Sequence, residues 1–128
     1  MAAENVILKT CALADGLTAT LCDTTRHYFG GYFHVRIRVS VPVELRQEMF
    51  ADEAEFRDAQ LRLGQQVEFS RVLEKMAVPR EEIEAVRQQL LKSFDDNVLP
   101  YMSRDGFAAG FVRSEYRDKL KNIPRFPL

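Results

Sequence analysis

Hydrophobic and polar residues alternate most regularly between positions 32 and 43. Phe33, Val35, Ile37, Val39, Val41 and Val43 fall on one side of an extended chain, and Tyr32, His34, Arg36, Arg38 and Ser40 on the other. A period of two is that of a β-strand with one wet face, and no helical face collects the same residues. Pro42 suits a strand end or an edge. Upstream, the β-branched and aliphatic stretch 5–14 is followed by Asp15-Gly16, a strong hairpin signal, and then by the alternating Leu17-Thr-Ala-Thr-Leu21. Gly30-Gly31 marks a second turn. A three-residue loop of Phe29, Gly30 and Gly31 places Leu17, Ala19 and Leu21 on the aliphatic side with Val35 to Val43; a slip of one residue would put them in water. That register sets Tyr28 opposite Tyr32, Cys22 opposite Arg38, Thr24 opposite Arg36 and Arg26 opposite His34. A two-residue turn at Asp15-Gly16 sets Lys9 opposite Cys22 and Cys11 opposite Thr20.

Helical spacing takes over downstream. Asp52-Glu-Ala-Glu55 has the form of a capping box. Phe56, Ala59, Leu63, Val67 and Ser70 follow at helical intervals, and Leu61, Phe69, Val72 and Met76 make a second apolar stripe. This predicts a helix apolar on two sides, which packs on two surfaces. Val78-Pro79 ends it and opens another, with Glu81 and Glu82 near the new helix start and Ile83, Val86, Leu90, Phe94 and Val98 as its buried stripe. Ser103-Arg-Asp-Gly106 reads as a turn. Phe111, Val112 and Tyr116 anchor a shorter last helix. In the tail, Ile123, Phe126 and Leu128 are expected to pack on the body.

The reading is therefore α+β: a three-stranded antiparallel β-meander (about 5–14, 17–28 and 32–43), two long helices (about 53–77 and 80–99) and a shorter C-terminal helix (about 108–120). A chain of 128 residues fits one domain, spanning 1–128. Charge barely alters this picture. With 18 basic and 19 acidic side chains, the chain lacks the basic excess of a dedicated nucleic-acid binder, which leaves only a local patch open to that use. Two cysteines do not make a disulfide framework. No signal-peptide pattern and no apolar run long enough to cross a bilayer is seen, so the expected location is the cytoplasm, with no membrane partner.

Candidate chemistry is sparse. His27, His34, Cys22 and Asp23 lie close in sequence, but the favoured register divides them between the two faces, and zinc needs three or four converging ligands. No metal and no cofactor is expected. Cys22 opposite Arg38 has a cation beside its thiol but no orienting base, so no catalytic residue is assigned. Gly106-Phe-Ala-Ala-Gly110 lacks the Lys-Ser/Thr of a phosphate loop. The wet face is richer. Lys9, Arg26, Arg36, Arg38 and His34, with Tyr28 and Tyr32 at the turn end, could hold phosphate or stack a base. Arginines on an exposed sheet face also serve simply to discourage aggregation.

The hairpin formed by Asp15-Gly-Leu-Thr-Ala-Thr-Leu-Cys-Asp-Thr-Thr-Arg26 and Gly30-Gly-Tyr-Phe-His-Val-Arg-Ile-Arg38 resembles one found in small uncharacterised bacterial proteins. The shared features are a strand ending near Asp-x-Ser/Thr-Arg, a glycine turn and an aromatic-led strand. The resemblance implies a bacterial cytoplasmic origin and brings no activity with it. The leading expectation is a non-enzymatic interaction or structural domain that self-associates, or meets a protein partner, through its helical apolar surface. The alternative is a binding module for a small anionic ligand or nucleic acid on the arginine–tyrosine face.

Overall fold

The computed structural model describes residues 6–121; the expected packing of Ile123, Phe126 and Leu128 lies outside them. In chain order the strands and helices are β1 (Val6–Ala12), β2 (Thr18–Asp23), β3 (Arg26–Phe29), β4 (Tyr32–Glu44), α1 (Glu53–Leu63), β5 (Gln66–Pro79), α2 (Ile83–Ser93), α3 (Leu99–Met102) and α4 (Phe107–Lys121). The sheet is five-stranded in the order β1-β2-β4-β3, with β5 also paired to β4. The α+β class stands, with an antiparallel sheet and helices after the first four strands; the details differ in three places.

The expected second strand is two strands in one register along one edge of β4. Cys22 lies opposite Arg38 and Arg26 opposite His34, as the burial argument requires. The ladder is interrupted at Thr24-Thr25, where Asp23 Oδ1 accepts from the Thr25 amide (2.9 Å) and Thr25 Oγ1 accepts from the Arg36 amide (3.2 Å). Side-chain oxygens here replace backbone partners, the competition for which Asp and Thr are suited.

The expected helix over 53–77 is the main correction. Asp52 caps α1, accepting from the Glu55 amide at 2.8 Å while Glu55 reaches back to the Ala51 amide. The helix stops at Gly64, whose φ of 87° suits glycine and few other residues. From Gln66 the chain is extended, and Leu61, expected in the second stripe, stands almost fully exposed. The two-sided helix over 53–77 is therefore not formed.

The next helical region matches the expectation at about 80–99 and runs on. A 3-10 turn (Arg80–Glu82) leads into α2, then a π-helical turn (Phe94–Val98), then α3. Pro100 explains the widened turn. Its ring has no N–H and crowds the carbonyl four residues back, and a π-turn, with the Leu99 amide donating to Phe94 O, relieves that crowding.

The chain divides into two compact units. One comprises the residues up to Val41 together with Ser70–Asp105; the other comprises Pro42–Phe69 together with the chain from Gly106. In the first, Ala19, Leu21, Val35, Ile37, Val39 and Val41 are fully buried, as is Phe94. Val35, Val78 and Val86 form a cluster closed by Ile83 and Leu90. Helix α2 thus lies over the odd-numbered side of β4. Each such aliphatic side chain contributes roughly 1.5–3 kcal/mol by leaving water. In the second unit α1 packs on α4. Phe50 meets Phe56 and Tyr116, and Phe69 meets Phe107 and Phe111, at ring-centroid distances of 5.3–5.9 Å. Among the described residues no helix is long and apolar enough to cross a membrane.

Candidate anion-binding face

The even-numbered side of β4 and its partners in β2 and β3 carry the polar constellation. Directly opposed residues in an antiparallel pair point to the same side. Cys22 with Arg38 and Arg26 with His34 are such pairs, and Thr24, whose amide donates to Arg36 O at 3.0 Å, continues the series. Arg26 and Arg38 are exposed and Arg36 half-buried.

Three expectations about this face change. Lys9 is not on it. The first hairpin closes through a Leu13 amide to Leu17 carbonyl bond (2.8 Å) around Ala14, Asp15 and Gly16, a three-residue loop rather than a two-residue turn. Both Asp15 and Gly16 take positive φ there. The extra loop residue moves β1 by one position, so Cys11 opposes Ala19 and Lys9 opposes Leu21. Lys9 accordingly turns to the helix side. Its ammonium lies 5.6 Å from the centre of the Phe94 ring and donates to Asp95 at 2.9 Å, a bond that raises the Lys9 pKa above its ordinary value. The shift also puts the two free thiols on opposite faces, and a further register irregularity between Ile7 and Lys9 sets Cys22 across from Ile7.

His34 is on this face but not in water. It is 6% exposed, and its Nε2–H donates to Glu74 Oε1 of β5 at 2.5 Å. A buried polar ring needs such a partner. His27 points to the other side opposite Phe33, stacks edge-on against it and donates to Gly30 O. The two histidines are thus committed to different partners.

The turn between β3 and β4 differs in the third way. Phe29, not Tyr28, opposes Tyr32, and Tyr28 is the extra residue of a β-bulge. The bulge carries Phe29 onto the arginine face, where it is 75% exposed beside a Tyr32 that is 47% exposed; Tyr28 is exposed as well. Phe29 is the site residue missed by the sequence reading. The turn is the two-residue Gly30-Gly31, with Gly30 at φ 54°, a loop length that hydrophobic alternation does not specify.

The electrostatics of the face are unbalanced. Among the described residues, Glu74 is taken by His34, and neither Arg26 nor Arg36 makes an ion pair. Arg36 Nε and Thr24 Oγ1 are both buried without a hydrogen-bond partner. The two residues are joined by the Thr24 amide to Arg36 carbonyl bond. A donor held out of water without an acceptor costs roughly 1–3 kcal/mol, more when charged, so this spot gains from an incoming oxygen. Among the described residues no group of three or more His, Cys, Asp and Glu is placed to hold a metal ion. No family model matches the chain, and no curated protein and no solved structure is significantly similar to it.

Proposed function

We propose that this chain is a non-enzymatic binding module whose working surface is the arginine face of the sheet, and that its ligand is anionic. The observation that carries the reading is the Arg36 side chain, whose Nε is buried and unpartnered, with an uncompensated Arg26 on the same face. A guanidinium is always charged and presents a rigid fork that matches phosphate or carboxylate. A phosphate oxygen arriving at Arg36 would satisfy a buried donor that no side chain satisfies. Tripolyphosphate titrated into the full chain should bind with an affinity that falls as salt rises. The Arg36→Ser/Arg38→Ser double variant should lose that binding and keep the fold. Salt-independent binding, or an unchanged affinity in the double variant, sinks the reading.

A second reading, self-association, is favoured by β1. This strand ends the strand order, and Val6 and Ile7 are both more than half exposed on it. An apolar strand at a sheet edge is a template for pairing with another copy. Sedimentation velocity should then show a dimer that Ile7→Lys dissociates; a monomer at high concentration removes this reading.

A further inference from the structure

On the reading that the arginine face binds anions, we infer that its ligand is a single-stranded nucleic acid, its phosphates on Arg26 and Arg36 and its bases stacked on Phe29 and Tyr32. The two kinds of side chain share one surface because of the bulge at Tyr28, which brings Phe29 round to oppose Tyr32. From Tyr32, alternate positions of β4 run through His34 to Arg36, and Arg26 lies across from His34. Four residues at about 3.3 Å each put the aromatic end about 13 Å from Arg36, a reach of a few nucleotides.

Free phosphate needs only the arginines and gives Phe29 nothing to do. Exposed rings beside unpaired guanidinium groups match a ligand that alternates anionic groups with flat π-faces, and that is a single strand. A duplex offers its phosphates but keeps its bases stacked away from such rings. The near-neutral total charge of the chain suits a short local footprint rather than a long electrostatic track.

The test is fluorescence anisotropy of a labelled dT12 strand against the full chain, with tripolyphosphate, a dT12·dA12 duplex and phosphatidylcholine/phosphatidylserine vesicles in parallel. The single strand should bind most tightly. Phe29→Ala/Tyr32→Ala should weaken it at least about five-fold, the lower end of what one lost stacking contact costs, while tripolyphosphate binding is unchanged. Phe29→Leu keeps the apolar bulk without the ring; with an unaltered circular dichroism spectrum it should weaken the single strand too. Arg36→Ser should lower both affinities and flatten the salt slope for dT12 by about 0.7. If tripolyphosphate binds but the ring substitutions leave dT12 unaffected, the stacking inference falls and the anion reading stands. Tighter binding to duplex or to vesicles overturns the inference as well. If neither dT12 nor tripolyphosphate binds, both readings fall together.

Discussion

The two faces of β4 are made by one run of residues and solved in opposite ways. On the odd side, Val35, Ile37, Val39, Val41 and Val43 are fully buried. Even the arginine that meets this side is tied down: Arg87 of α2 donates to Asp23 Oδ2 at 2.8 Å and to Glu84. On the even side, Arg36 has an equally buried Nε but no carboxylate, and Phe29 and Tyr32 stand open. Both guanidinium groups leave a buried Nε without an acceptor. Arg87 offsets this with two carboxylates; Arg36 does not. The odd side is arranged for stability, and the even side holds a donor that stability alone does not explain.

That contrast can be broken most directly at its stable half. Ile37→Ala should cost about 2–5 kcal/mol, the usual range for a large aliphatic residue truncated in a packed core; urea denaturation would read it. A loss below 1 kcal/mol would mean the odd side is not the core. Asp23→Ala should cost less, about 1–3 kcal/mol, because it strands Arg87 and frees the Thr25 amide that breaks the ladder. An unchanged midpoint would show that the Arg87 bond adds nothing.

The other unit supplies a polar contact that does have its partner. Tyr116 Oη donates to Asp58 Oδ2 at 2.5 Å. That bond first, then burial, pushes the phenol pKa up from 10.0 to about 12. A pKa raised on folding means stability present below pH 10 and lost as pH climbs toward 12. Wild type should therefore lose more of its melting temperature between pH 10 and 12 than Tyr116→Phe does; parallel curves would deny the bond. The smallest loss should come from Arg36→Ser, which removes a buried donor without an acceptor and should leave stability at or above that of wild type. A large loss there would make Arg36 structural and weaken its role toward a ligand.

How much of this could be read in advance differs by segment. Residues 32–43 were legible because one whole face is buried, so the alternation is complete and a register slip would be costly. The same argument placed Arg26, His34, Arg36 and Arg38 on the even side. Residues 66–79 misled because their burial is graded: Val67 and Phe69 are half-buried, and then Val72 and Leu73 are half-buried side by side. The period-two signal blurs, and a helical stripe fits by chance; Gly64 was the warning. Lys9 and Phe29 were misplaced by single extra residues, one in the loop at 14–16 and one at Tyr28. Loop length and bulges are set by backbone geometry that hydrophobic patterning does not encode. His34 lies on the expected face but out of water, and the partner of its buried ring, Glu74, is forty residues away in sequence.

The account rests on Arg36 being a donor that waits for an acceptor. Proton–nitrogen NMR of the arginine Nε–H signals during a tripolyphosphate titration addresses it directly. The Arg36 signal should move and saturate with ligand, while that of Arg87, held by its own carboxylates across the sheet, stays where it is. An Arg36 signal that does not respond at saturating ligand, or one that moves no more than that of Arg87, would contradict the account.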